Sequence, residues 1–201
     1  MASVKLSVLL KVALLASLST ILMNIQFSLI PAYPYLKYDG SEIPALIAGF
    51  SIAPLAGAAV VILKNLIFLF THFQPQELIG IPINTIAGLT FVLVACGLYH
   101  LKKSKKAAKV SLILGVVAMS LVMIPVCLLL LPIFQRWFMP ELPVYNPDTL
   151  VKTILFVLLP FNLVKGGLTG LLTFVAYKRV SRILKTDRIW DEESNRASVG
   201  S

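Results

Sequence analysis

The feature that most constrains this chain is a succession of apolar segments of bilayer-crossing length, separated by short polar connections. A helix needs about 20 apolar residues to traverse a hydrocarbon core of about 30 Å, and fewer where neighbouring helices bury its ends. Six segments qualify, over residues 4–25, 42–54, 56–71, 78–101, 107–134 and 149–178. Of the residues 58% are hydrophobic and only 13% charged, with a mean hydropathy of +0.88. Soluble domains carry roughly 25% charged residues, so a water-soluble fold is excluded. The expected fold class is an all-α integral membrane protein with six transmembrane helices. Val4 to Ile25 has no small-residue cleavage site before the polar segment that follows, so it reads as a retained first helix rather than a signal peptide.

The second and third segments are short and meet at Ala53-Pro54-Leu55-Ala56-Gly57. Proline removes a backbone donor and glycine frees the backbone, so a tight turn is expected there instead of one continuous span. Charge placement supports that division. With six spans, Lys5 and Lys11, the cluster Lys102, Lys103, Lys105, Lys106 and Lys109, and the cluster Lys178, Arg179, Arg182, Lys185 and Arg188 all fall on one side. Cytoplasmic connections are enriched in Lys and Arg, so both termini are expected to be cytoplasmic and the net charge of +9 reads as topological, not as a nucleic-acid footprint. Asp39, Glu42, Glu77, Glu141 and Asp148 then collect on the outer side, against Lys37, Arg136 and Lys152. Residues 1–185 are expected to form the membrane domain and 186–201 a polar cytoplasmic tail.

Charged groups near a bilayer centre cost roughly 2.5–3.5 kcal/mol on insertion scales and usually face a cavity or a partner. Lys64 lies mid-way along the third segment and Lys165 mid-way along the sixth. No Asp or Glu lies inside a segment away from its ends, so carbonyls, water or ligand oxygens are the expected partners. The alternative for each is a side chain that runs along its own stem to an interface. Asn162 precedes Lys165 by one helical turn and shares its face. An amide beside a cationic donor suits a ligand bearing ring carbonyls and nitrogens. Pro160 can break the helix just outside the pair, and Gly166, Gly167 and Gly170 permit close approach of a helix or a flat ligand. Asn84, in Pro82-Ile83-Asn84-Thr85-Ile86-Ala87-Gly88, is a second candidate wall, or else a polar group bonded to a neighbouring helix.

The first outer connection, residues 26–40, is rich in aromatics and prolines. Tyr33, Tyr35 and Tyr38 form either an interfacial belt or, stiffened by Pro31 and Pro34, part of a lid over an outward pocket. Trp137, Phe138 and Tyr145 would complete such a lid. On the first helix, Ala13 with Ser17 and Ala16 with Thr20 are small-xxx-small pairs, serving either close approach of a partner or internal packing. Cys96 and Cys127 show no metal or disulfide spacing, and the lone His72 and His100 do not support a metalloprotease. No P-loop motif occurs, so any ATP-driven step needs a partner. A solitary membrane-embedded enzyme or facilitator, with the lysines acting on a lipid substrate, is the rival from another class.

In order and spacing, Tyr35-Leu36-Lys37-Tyr38-Asp39-Gly40-Ser41-Glu42-Ile43-Pro44, Ile52-Ala53-Pro54-Leu55-Ala56-Gly57, Leu63-Lys64-Asn65-Leu66, Asn84-Thr85-Ile86-Ala87-Gly88 and Pro160-Phe161-Asn162-Leu163-Val164-Lys165-Gly166 resemble the substrate-binding S components of energy-coupling factor (ECF) vitamin importers, of the riboflavin-specific type. The resemblance runs from the first helix to about Arg182. It implies a six-helix fold enclosing one vitamin near the outer face, with Asn162 and Lys165 bonding the isoalloxazine edge. Leu36, Lys37 and Tyr38 would cover the ring, Asp39 and Asn84 count among the substrate-binding residues, and Lys64, Asn65 and Phe161 are a candidate extension of the pocket. It also implies that Ala13, Ala16, Ser17 and Thr20 meet a coupling partner, that a transmembrane scaffold protein and two ATPases complete the importer, and that the chain itself carries no cofactor and catalyses no covalent chemistry. Where riboflavin-type members carry an Asn in the fifth helix, this chain has Val126 and Cys127 before Leu130-Leu131-Pro132, which removes one polar contact the resemblance implies.

Overall fold

The computed structural model describes residues 6–31, 33, 36–75, 77–138, 140 and 146–177. Helix α1 spans Leu6–Met23, α2 Glu42–Ser51, α3 Pro54–Thr71, α4 Glu77–Leu101, α5 Lys105–Phe138 and α6 Pro147–Tyr177. Five of these are long and apolar enough to cross a membrane. Helix α2, with 10 residues, extends about 15 Å at 1.5 Å per residue, half a hydrocarbon core. The connection between α1 and α2 carries a small antiparallel ribbon, β1 (Phe27–Ser28) on β2 (Lys37–Tyr38), which pairs Phe27 with Tyr38 and Ser28 with Lys37. Lys5, Tyr35, Glu141, Tyr145, the basic cluster after Tyr177 and the tail boundary at 185/186 lie outside the described residues.

The turn between α2 and α3 falls at Ile52–Ala53, two residues earlier than the sequence suggests. Pro54 is the first residue of α3, where its missing N–H has no intrahelical acceptor to lose and its fixed φ suits the first turn. Helix α5 likewise runs through Pro125 and Pro132 to Phe138, well past the expected end, because in an apolar setting the chain has no better way to satisfy its backbone than to stay helical. Helix α6 absorbs Pro160 differently. Its backbone widens to a π turn over Ile154–Leu158, with the Leu159 N–H donating to the Ile154 carbonyl five residues back. A widened turn relieves the clash of the proline ring with the preceding turn and commonly marks a functional region.

The helices bury narrow stripes and leave their apolar flanks outward. On α1, Val12, Ala16, Ser19, Thr20 and Met23 are buried, whereas Leu6 and Leu14 are each 71% exposed, as is Phe156 of α6 at 77%, which is the arrangement lipid contact requires. Glycines allow the closest helix contacts. A Cβ on Gly57 of α3 would lie 2.6 Å from Val92 of α4, and one on Gly166 of α6 would lie 2.9 Å from Val116 of α5. Gly166 is thereby assigned to helix packing, while Gly167 faces open space. At one end of the bundle Phe50, Tyr99 and Tyr177 meet in edge-on and tilted contacts, which brings the ends of α2, α4 and α6 beside the exposed Lys102, Lys103, Lys105 and Lys106.

Candidate functional site

Because α2 is only half a span long, the connection before it descends into the bundle, and Asp39, Ser41 and Glu42 arrive buried at the level of the two mid-span lysines. Lys64, 0% exposed, donates to Glu42 Oε1 at 2.6 Å and to the Ser41 hydroxyl. Lys165 donates to Asp39 Oδ2 at 3.3 Å and to Asn84 Oδ1 at 3.4 Å. One expectation is corrected here. Both lysines have carboxylate partners, because Asp39 and Glu42 are buried at their level. Lys64 does not run to an interface either. The partner of Lys64 comes from the start of α2, because Glu42 and Lys64 flank the α2–α3 turn almost symmetrically and the antiparallel hairpin sets them opposite one another.

Further bonds join these pairs into one system. Asp39 Oδ1 accepts from both the backbone N–H and the hydroxyl of Ser41. Asn84 Nδ2 donates to Asn65 Oδ1 at 3.2 Å, and Asn65 Nδ2 donates to the Val61 carbonyl at 3.0 Å. Asn84 therefore meets both a neighbouring helix and Lys165. Two ammonium and two carboxylate groups give the set zero formal charge, which offsets much of the cost of removing each from water. Burial alone would raise the Asp39 pKa, but Lys165, Lys64 and the Ser41 bonds outweigh it and lower the value to about 2. Gly88 of α4 closes the far side, since a Cβ there would lie 2.7 Å from Glu42 Oε1 and 2.8 Å from Oε2.

The remaining candidates surround this set. Leu36 and Tyr38 are buried, Lys37 is exposed, and the Tyr38 ring packs on Phe27 at 5.3 Å. The Tyr38 hydroxyl is buried with no partner among the described residues. Phe161 and Asn162 are buried on α6, where Asn162 Nδ2 donates to the Leu158 carbonyl at 3.0 Å, just beyond the π turn. Trp137, at the end of α5, is 67% exposed. Ser41, Glu42 and Gly88 are the members that sequence reasoning missed. The available signal was the shortness of α2, which forces its N-terminus to begin inside the bundle.

On α1 the two small-residue pairs separate. Ala13 and Ser17 are exposed, the Ser17 hydroxyl donating to the Ala13 carbonyl at 3.0 Å, whereas Ala16 and Thr20 are buried in the bundle. Internal packing is the role of the second pair, because that face of α1 turns toward α2 and α3.

A bundle of helices long and apolar enough to span a membrane, with a re-entrant connection and a buried, charge-balanced polar set, defines a multi-pass membrane protein with a polar centre inside the bundle. The chain belongs to the family of substrate-specific components of ECF transporters, whose family model matches residues 7–177. It is 36% identical over 161 residues, 77% of this chain and 82% of the relative, to the riboflavin transporter FmnP of Bacillus subtilis strain 168. It is also 31% identical over 180 residues, 88% of this chain and 92% of the relative, to the riboflavin transporter RibU of Staphylococcus aureus strain TCH60. A solved structure described as the S component of a bacterial ECF transporter superposes with a TM-score of 0.70 at 27% identity, covering 89% of this chain and 98% of the other. The family is a multi-pass membrane transporter component and not an enzyme, which removes the rival reading.

Proposed function

We propose that this S component captures riboflavin and delivers it through an ATP-driven importer. The observation that carries the reading is the Lys165 ammonium. It is incompletely buried, with 15% of its side chain exposed and two long contacts of 3.3 and 3.4 Å, and it lies one turn from Asn162 on the π-widened helix. A cationic donor and an amide at this spacing complement the carbonyl and nitrogen edge of a flavin ring, and Leu36 and Tyr38 supply apolar and aromatic surface beside it. The names of the two curated relatives point to the same vitamin. Val126 and Cys127 leave that recognition to the α6, α4 and first-connection residues.

The sequence has no P-loop, so ATP is bound by partners, a transmembrane scaffold protein and two ATPase subunits. The exposed Ala13 and Ser17 offer a smooth strip for close helix approach by the scaffold. Both termini lie in the cytoplasm, in keeping with the exposed lysines where α4 meets α5. The direct test is the near-ultraviolet and blue absorption of the detergent-purified protein, with quenching of added riboflavin fluorescence as the second readout. Flavin bands or quenching are expected, and a colourless protein that does not quench riboflavin would refute the assignment. For the partner strip, Ala13→Trp should leave riboflavin binding and melting temperature unchanged while stopping uptake by the complete importer. Unimpaired uptake would remove the strip from the interface.

A further inference from the structure

Two hydrogen-bonded arms reach the Lys165 ammonium, and both begin on one dipeptide of α3. The first runs from Lys64 to the Ser41 hydroxyl, from that hydroxyl to Asp39 Oδ1, and across the carboxylate to Oδ2, which accepts from Lys165 at 3.3 Å. The second runs from Asn65 Oδ1 to Asn84 Nδ2 at 3.2 Å, and from Asn84 Oδ1 to Lys165 at 3.4 Å. Each root is itself fixed, Lys64 by Glu42 at 2.6 Å and Asn65 by the Val61 carbonyl at 3.0 Å. Lys64 is 0% and Asn65 2% exposed, so neither offers surface to a ligand. Consecutive helical residues diverge by about 100°, which lets the two side chains embrace a third group from different sides.

A lysine head is a compact charge on a flexible four-carbon stem with three rotatable donors. Left alone on α6, it would sample many directions and lose entropy on binding. The two arms occupy two donors, and the third has no partner among the described residues. We infer that Lys64 and Asn65 are positioning residues that aim the Lys165 ammonium at the ligand, acting through Ser41–Asp39 and Asn84, and are not themselves part of the ligand-contacting wall. This rests on the reading of Lys165 as a riboflavin contact.

Riboflavin titration of the purified full-length chain by fluorescence quenching tests the inference, using Ser41→Ala to cut the first arm and Asn65→Leu to cut the second, each alone and combined with Lys165→Met. Each arm variant should weaken binding about 3- to 10-fold, the range for loss of one ordinary hydrogen bond, and should add nothing once Lys165 is Met. Ser41→Thr, which keeps the hydroxyl, should restore affinity. A merely structural role would instead lower the melting temperature of the ligand-free protein and would add to the loss from Lys165→Met. Additive losses, or full affinity in both arm variants while Lys165→Met weakens binding, would overturn the inference and leave the site reading standing. An inert Lys165→Met would overturn both. Should Asn65→Leu fail to fold, the Ser41 pair decides the matter.

Discussion

Lys64 and Lys165 sit at similar depth on different helices and are served by carboxylates three residues apart, yet their environments differ in kind. Lys64 has no exposure, a 2.6 Å bond to Glu42 and a bond to Ser41. Lys165 retains 15% side-chain exposure and meets Asp39 and Asn84 at 3.3 and 3.4 Å. The first pair is short, fully buried and joins α2 to α3. The second is longer, partly exposed, and leaves one donor of Lys165 without a partner among the described residues. A fully buried charge in a short ion pair contributes to the architecture, whereas a partly exposed one with longer contacts stays within reach of a ligand, and this separates scaffold from site more sharply than residue type does.

Removing Glu42 should break the comparison most violently. Glu42→Ala leaves a buried ammonium without its carboxylate, a change that typically costs about 3–5 kcal/mol, and the loss should appear as a large drop in melting temperature in detergent. Replacing both partners, Lys64→Met with Glu42→Gln, should recover much of it. Were Glu42→Ala to melt with the native protein, the tight pair would not be the joint we describe. Lys165→Met should show the opposite profile. It removes a charge-assisted ligand bond worth roughly 1.5–3 kcal/mol, which is a 10- to 100-fold loss of riboflavin affinity, with a smaller change in melting temperature than Glu42→Ala. Equal stability losses in the two variants would erase the distinction.

Most of the architecture is legible in the chain. Apolar segment lengths mark the helices, and Pro54 marks the α2–α3 turn to within two residues. The pairing of Lys64 is less visible because it depends on where α2 begins in depth, not on what surrounds Lys64 in sequence. Glu42 and Lys64 are 22 residues apart and flank the turn at 52–53 almost symmetrically, so an antiparallel hairpin places them opposite one another. A 10-residue helix that cannot cross a bilayer is the clue that Glu42 starts inside. The π turn of α6 is harder to read, since Pro125 and Pro132 pass through α5 without a comparable turn and Pro160 differs from them only in context. Likewise, Ala13 and Ala16 carry the same small-residue signature, and only the direction in which α1 packs sends one outward and the other inward.

Acid should probe the Asp39–Lys165 pair. The Asp39 carboxyl is held at about 2, below its ordinary 3.8. A folded-state value below the unfolded one means stability that is present above the unfolded value and lost as pH falls through the folded one. Stability and riboflavin affinity should thus be insensitive to Asp39 from neutral pH down to about 4, then decline toward pH 2, a contribution of about 2 kcal/mol in all. In Lys165→Met the decline should begin at higher pH, because one of the charges that hold the carboxyl ionised is gone. An unchanged acid profile in that variant would mean that Lys165 and Asp39 are not electrostatically joined.

The smallest effect should come from Gly88, which tests the tight pair from the side of α4. A methyl group there would lie 2.7 and 2.8 Å from the two Glu42 oxygens, so the carboxylate has to slide or the helices have to part. Because the obstructed atoms are the end of a side chain and not backbone, Gly88→Ala should cost only about 1 kcal/mol, the low end of the range for overpacking. The cost should vanish once Glu42 is shortened, so Gly88→Ala combined with Glu42→Ala should melt with Glu42→Ala alone. A loss that persists in the double variant would place the obstruction elsewhere on α4 and would free Glu42 from the packing constraint that holds it against Lys64.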